Sequence, residues 1–382
     1  MIVQSHETLR DCLHLAMQQP MVALDTEFVW ERTYYPGLGL IQLGWSASET
    51  WLIDTVALRD LTPLRTLIES ADVVKVLHDA PQDLTILLRA CGGTIPRSIF
   101  DTRTASGFAG GSSTCSLRKV LEDTVGISIA KTESRSDWLR RPLTAAQMEY
   151  AKEDVQYLVQ AARILEEWMT EQRTLSAFRE EMQDLEEESL YAEKSPESAY
   201  LKIKGHNRLR PRDRSILLEL AAWREEEARA SDQPRGRVVA DDALLALCQR
   251  SPKSREEVLS VRGTPPQYAS ALYSAFQQGL DRHRREPMEP EPYVQDEEAL
   301  LARVDLVLSF LKGEALYMGI DPALVASRTE VLQVCRKESL EGSPFSAGWR
   351  HTLFGKSLLD VLTGSLSVRI DASTGLPRSH AG

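Results

Sequence analysis

Val22-Ala23-Leu24-Asp25-Thr26-Glu27-Phe28 is an apolar run carrying two carboxylates. Read as a buried strand, it projects Asp25 and Glu27 to the same side, because side chains two residues apart on a strand share a face. Neighbouring acids repel each other and resist leaving water, so a packed core gains nothing from them. A divalent cation reverses that argument, since carboxylate oxygens are the natural ligands of Mg²⁺. The alternative is an exposed strand end with two solvated acids.

Outward from this strand the pattern is that of an α/β domain. A helix is expected near 7–18, closed by Pro20, and two further β-rich runs cover 37–45 and 50–54. Three strands with short connections suggest a meander. Helix, strand and helix then follow over 61–70, 73–77 and 81–91, with a short strand over 98–100 ending at Asp101. This predicts a mixed sheet covered by helices.

Two later stretches carry chemistry. In His78-Asp79-Ala80-Pro81-Gln82-Asp83-Leu84, Asp79 stands where a helix N-cap precedes a proline. Asp83 falls in the first helical turn just past a strand's C-terminal end, where open α/β sheets place their sites. A carboxylate favoured by the helix dipole is the alternative. His78 reads as a hydrogen-bonded structural histidine or a substrate contact. Thr144 and Gln147 form a capping box opening a helix that runs to about 169, with Tyr150 and Asp154 stacked on one face. An ordinary tyrosine at a core edge and a solvated aspartate would look the same. Between these stretches, Lys131 to Arg141 is polar and partly basic. Lys131, Arg135, Arg140 and Arg141 could neutralise phosphates; Trp138 could stack on a base, though packing under the loop is favoured.

A chain of 382 residues is too long for one core, so two or three domains are expected. No apolar run reaches the ~18 residues of a membrane span, and the N-terminus lacks a basic-then-apolar leader pattern. Five scattered cysteines without close spacing point to a reducing cytoplasm and away from structural zinc. The net charge of −11 argues against a nucleic-acid partner only until its distribution is read: 180–188 is acidic and 202–214 basic. Residues 171–204 read as an acidic helical linker, with a solvated face or one that covers part of the preceding domain. Residues 205–285 are closely segmented helices. Lys202, Lys204, Arg208, Arg210 and Arg214, with Tyr200 nearby, form a footprint for a phosphate backbone or else a solvated bundle surface. A Pro- and Glu-rich linker to 292, a second helical set over 293–371 and a disordered tail over 372–382 complete the layout.

Together, Asp25-x-Glu27, the His78–Leu84 segment and Tyr150-x-x-x-Asp154 resemble the three motifs of the DEDD 3′→5′ exonucleases, in the variant whose third motif carries tyrosine. The likeness to the ribonuclease D family is closer. It takes in Tyr34-Tyr35-Pro36, Leu40-Ile41-Gln42-Leu43, Phe100-Asp101-Thr102, Ser116-Leu117, Lys131, and Asp137-Trp138-x-x-Arg141-Pro142-Leu143, so that it spans residues 1–170. Leu218 to Ala230, the break at Pro234 and Val239-Ala240-Asp241 resemble the helicase-and-ribonuclease-D C-terminal (HRDC) domain.

The resemblance implies an α/β ribonuclease H-like exonuclease domain followed by two small all-α helical bundles. It implies Asp25, Glu27, Asp83 and Asp154 as ligands of two divalent ions, Mg²⁺ or Mn²⁺, and Tyr150 as the residue that orients the attacking water. His78, Lys131, Trp138, Arg141, Lys204 and Arg208 are the expected substrate contacts. RNA is the expected partner, above all tRNA precursors and other small structured RNAs, for a monomer in the cytoplasm with no membrane association. A 3′→5′ DNA exonuclease of the same superfamily is the nearest alternative. A non-catalytic RNA-binding scaffold is a further one, against which the intact acids and tyrosine stand.

Overall fold

In a computed structural model, which describes residues 1–129, 133, 136–288 and 297–380, the strand bearing the two acids lies inside a six-stranded sheet. The strands are β1 (Ile2–Val3), β2 (Met21–Val29), β3 (Gly37–Ser46), β4 (Glu49–Asp54), β5 (Val74–Leu77) and β6 (Ile99–Asp101), in the order β1-β4-β3-β2-β5-β6. β3 and β4 pair antiparallel, whereas β1–β4, β2–β5 and β5–β6 are parallel. The sheet is therefore mixed, as expected. β1 was not anticipated, being two residues long and recognisable only through its pairing with Leu52 and Ile53.

Helices His6–Ala16, Ala80–Ala90, Ala145–Gln156 and Leu158–Glu171 form where the apolar stripes predict them. The last two were expected as one helix; they are separated at Tyr157, whose φ of −115° and ψ of 0° leave the helical range. Two short helices, Thr102–Phe108 and Leu117–Thr124, were not foreseen.

The chain divides into two compact units whose boundaries differ from the sequential domains. One comprises Met1–Phe28, Leu38–Tyr191 and the described residues from Glu297 onward; the other comprises Val29–Gly37 and the described residues from Ala192 to Met288.

In the first unit the acidic helix Leu175–Gln183 is no free linker. It buries Ala177, Phe178 and Met182, with the Phe178 ring 4.8 Å from Phe100 on β6. Its outer acids hold the C-terminal bundle: Trp349 donates its backbone N–H to Glu180 (2.7 Å) and its indole N–H to Glu181 (2.7 Å), and Arg350 clasps Glu181 at 2.8 and 3.0 Å. The Trp349 ring in turn lies 5.1 Å from Phe108. The bundle contains Glu297–Tyr317, Arg328–Lys337 and Lys356–Leu362. It ends in a hairpin, Ser367–Ile370 paired with Pro377–His380, where a disordered tail was expected from 372. Gly313 makes this possible, since a Cβ there would meet the Pro377 carbonyl oxygen at 1.7 Å.

The second unit has Pro211–Ala230, Asp241–Arg250, Arg255–Leu259 and Ala269–Arg285 around Ile216, Leu220, Leu244, Leu247, Leu272 and Phe276. Here Val29–Gly37 docks through Tyr34, whose hydroxyl bonds Glu225 and whose ring lies 4.8 Å beneath the Arg235 guanidinium. Asp232 accepts from the backbone N–H groups of Tyr34 and Tyr35, both at 3.1 Å. Of the expected linker, Arg284 and Arg285 finish a helix, and 289–292 lie outside the described residues. No described helix is long and apolar enough to cross a membrane. All five cysteines are free, four of them buried.

Candidate active site

β2 positions the first two acids. Val22, Ala23 and Leu24 are fully buried and hold the strand in register with β5, so the alternation beyond them brings Asp25 and Glu27 to one side. The third acid comes from the helix Ala145–Gln156. Its start is fixed by the predicted capping box: Thr144 Oγ1 accepts from Gln147 N at 3.1 Å, and Gln147 Oε1 accepts from Thr144 N at 3.0 Å. Two turns on, Asp154 is 8% exposed. Oxygens of Asp25, Glu27 and Asp154 lie within 4.8 Å of one another. Tyr150, one turn before Asp154, donates its hydroxyl hydrogen bond to that carboxylate.

The fourth acid, Asp83, enters from the first turn of Ala80–Ala90 and is 9% exposed. It accepts a hydrogen bond from the Thr26 hydroxyl and raises the pKa of Asp25, Glu27 and Asp154. Asp25, Glu27 and Asp154 thus converge with Tyr150 beside them, while Asp83 is near enough to act on them through its charge without joining the group of oxygens within 4.8 Å.

Asp79 does not cap the helix as expected. Its φ of +66° and ψ of +50° are left-handed, and its carboxylate pairs with Arg103. The capping is done by Asp101, whose oxygens accept from Asp79 N (3.0 Å), Ala80 N (3.2 Å) and Arg103 N (2.9 Å), serving two helices at once. Sequence reasoning placed Asp101 at a strand end and in the family likeness but gave neither it nor Thr26 a role. An aspartate immediately before a helix start, and a hydroxyl between two acids, were the signals available.

Electrostatically the cluster is frustrated. Burial, then the charges of Asp83, Asp154 and Glu27, hold Asp25 well above the carboxylate range. Burial followed by Asp154 and Asp83 pushes Glu27 up to about 9. Burial also raises Asp154 to about 7, against the opposing hydrogen bond from Tyr150, and Asp83 to about 7, against that from Thr26. Tyr150 is raised by burial and then by Asp154, Glu27 and Asp25, so its hydroxyl keeps its proton at neutral pH. Three hard oxygen donors at this spacing, each costly to ionise alone, fit a divalent cation.

The expected substrate contacts divide. The His78 ring is held by Thr102 Oγ1 at 3.0 Å and by the Cys115 backbone, and burial lowers its pKa. Trp138 is 1% exposed and packs 6.0 Å from the Tyr150 ring, with no face open to a base. Arg141 donates to Asp54 (2.6 and 2.9 Å) and to the carbonyls of Trp138, Arg140 and Gly39. All three are bound into the fold: His78 at its ring, Trp138 by the packing favoured for it from the sequence, and the half-buried Arg141 through its guanidinium. Lys204 and Arg208 instead line an open cleft of about 500 Å³ in the second unit, together with Lys202, His206 and Asn207 and no acid. Lys131 and Arg135 lie outside the described residues.

Comparison with known proteins agrees with this geometry. A 3′–5′ exonuclease family matches residues 1–170, and the HRDC domain matches 213–278. Ribonuclease D of Desulfotalea psychrophila is 37% identical over 358 residues, covering 91% of this chain and 95% of the relative. That of Pseudomonas paraeruginosa is 33% identical, covering 93% and 96%. The crystal structure of Escherichia coli RNase D, described as an exoribonuclease involved in structured RNA processing, superposes with a TM-score of 0.85 at 27% identity, covering 95% of this chain and 98% of the other. With the acids, the tyrosine and the helical units in place, the chain belongs to the ribonuclease D family of 3′→5′ exoribonucleases.

Proposed function

We propose that this exoribonuclease trims tRNA precursors and other small structured RNAs from the 3′ end, releasing nucleoside 5′-monophosphates with the help of two divalent ions, Mg²⁺ or Mn²⁺. The observation that carries the reading is the convergence of the Asp25, Glu27 and Asp154 oxygens within 4.8 Å beside the Tyr150 hydroxyl. Asp25, Glu27 and Asp154 would hold one ion, with Asp25 and Asp83 serving the second. Bound there, divalent ions lower the pKa of water and offset charge on the phosphate and the leaving 3′ oxygen.

The chain's own groups orient the reaction. Asp154 takes the Tyr150 proton in a hydrogen bond, leaving the phenolic lone pairs to accept from a water and aim it at phosphorus. Because Tyr150 stays protonated, it orients this water and does not serve as a base. Thr26 fixes the direction of Asp83. Outside the acidic centre we assign RNA phosphates to Lys204 and Arg208, for which no ion-pair partner is found among the described residues. The five free cysteines suit a reducing compartment, and we assign the enzyme to the cytoplasm as a monomer.

The test is a time course on a 3′-extended tRNA transcript labelled at its 5′ end, with Mg²⁺, Mn²⁺ or EDTA, and with Asp25→Ala. A ladder shortening from the 3′ end, dependent on metal and absent in the variant, is the expected result. Turnover of Asp25→Ala near the wild-type rate would refute the site.

A further inference from the structure

Trp138 is buried within the exonuclease domain, and the Arg141 guanidinium is taken up by contacts of the fold. Their contacts form a chain that ends on Tyr150. Asp54, at the end of β4 and 2% exposed, is the fixed point: it accepts from Gln4 Nε2 (3.0 Å) and from the backbone N–H groups of Val56 (3.1 Å) and Ala57 (3.2 Å). Both its oxygens also accept from Arg141 Nε at 2.9 Å, and Oδ1 accepts from Nη2 at 2.6 Å. The rest of the guanidinium reaches the Trp138 carbonyl (Nη1, 2.8 Å) and the Gly39 carbonyl on β3 (Nη2, 2.7 Å). A planar fork with donors in fixed directions can join a carboxylate and two carbonyls at once, which an ammonium cannot.

Gly39 completes the seat. A Cβ there would lie 2.4 Å from the Trp138 carbonyl oxygen, so the backbone at 138 rests directly on β3. Held in this way, the Trp138 indole is buried with its ring centroid 6.0 Å from that of Tyr150 and tilted by 38°. Asp154 fixes where the Tyr150 hydroxyl points, and the indole limits the swing of the ring behind it.

We propose that Trp138 and Arg141 are positioning residues that set the Tyr150 hydroxyl for its water. The inference rests on the reading of Tyr150 given above. Loss of such a wall lets the hydroxyl drift, and a displacement of about 1 Å costs up to about a hundredfold in rate.

The test is a double-mutant cycle on the full chain, with kcat and KM measured on RNA. Tyr150→Phe lowers kcat by about a hundredfold. Trp138→Ala lowers kcat about tenfold and leaves KM within about twofold; added to Tyr150→Phe it costs less than about twofold more. Should Trp138→Ala fail to fold, Trp138→Phe and Arg141→Lys replace it, each with its melting temperature and metal-induced thermal shift checked against wild type. Arg141→Lys is expected to follow the same sub-additive pattern. Equal factors in the two backgrounds would overturn the positioning role while leaving Tyr150 in place. A rise in KM alone would return both residues to substrate contact. A wild-type kcat in Tyr150→Phe would refute the role of Tyr150 itself, and the inference with it.

Discussion

Replacing Asp154 by asparagine should stabilise the metal-free protein. Burial and the neighbouring acids move its carboxyl from 3.8 to about 7, which corresponds to about 4 kcal/mol of penalty on the ionised form at high pH. Because the clustered acids share protons, roughly half of this, about 2 kcal/mol, should be recovered by removing one of them. Asparagine is isosteric and its carbonyl still accepts the Tyr150 hydroxyl, so packing is kept. For a unit of this size the gain is about 4 °C in melting temperature. The sign with pH follows from a folded-state pKa above the unfolded one: the penalty on wild type, and with it the variant's advantage, is absent below about pH 4, builds as pH rises toward about 7 and is full above it. Differential scanning calorimetry in EDTA should therefore show the variant melting above wild type at pH 9, with the gap shrinking to less than half by pH 5. Millimolar Mg²⁺ should raise the wild-type transition and move the variant far less. A variant that melts at or below wild type at pH 9 in EDTA, or a gap that widens as pH falls, would refute the picture of mutually repelling acids.

Asp101→Ala removes the acceptor for three backbone N–H groups. It should cost about 2–3 kcal/mol in a denaturant melt and lower kcat by loosening the turn that carries Asp83. Reversing Lys204 and Arg208 to glutamate should weaken RNA binding and reduce the slope of log K against log salt by at least about 1.4, the share of two single-strand phosphate contacts; an unchanged slope in fluorescence anisotropy would make the cleft a plain solvated surface. Gly313→Ala places a methyl against the Pro377 carbonyl. It should detach the terminal hairpin, seen as faster tryptic cleavage at Arg369 with most of the thermal transition retained.

Signals confined to a few adjacent residues were readable without coordinates. The alternation across Asp25 and Glu27 and the Thr144–Gln147 box each follow from local geometry, and they located the acidic centre. What sequence could not convey was how side chains are used across long separations. Arg141 looked like a phosphate ligand because its charge is visible and its partner Asp54, 87 residues away, is not. Tyr34 lies in a segment whose likeness is to the exonuclease domain of the ribonuclease D family, yet its hydroxyl is taken by Glu225, 191 positions on. Asp79 had the right place for a cap, but the left-handed backbone there, stabilised by Asp101 on the neighbouring strand, handed that task to another residue. The terminal hairpin was missed because its register depends on a bare glycine in a distant helix.

The docking of Trp349 and Arg350 on Glu180 and Glu181 gives the catalytic unit a particular order of completion. These partners are separated by 168 and 169 residues, and all the helices of the second unit are synthesised between them. A nascent chain can form the sheet and gather its four acids early, while the helix Leu175–Gln183 keeps its outer face bare until the last bundle has left the ribosome. The same holds for a fragment cut at 285, which would retain the four acids and Tyr150 while lacking the Trp349 ring that covers Phe108, and would emerge with an unfinished wall.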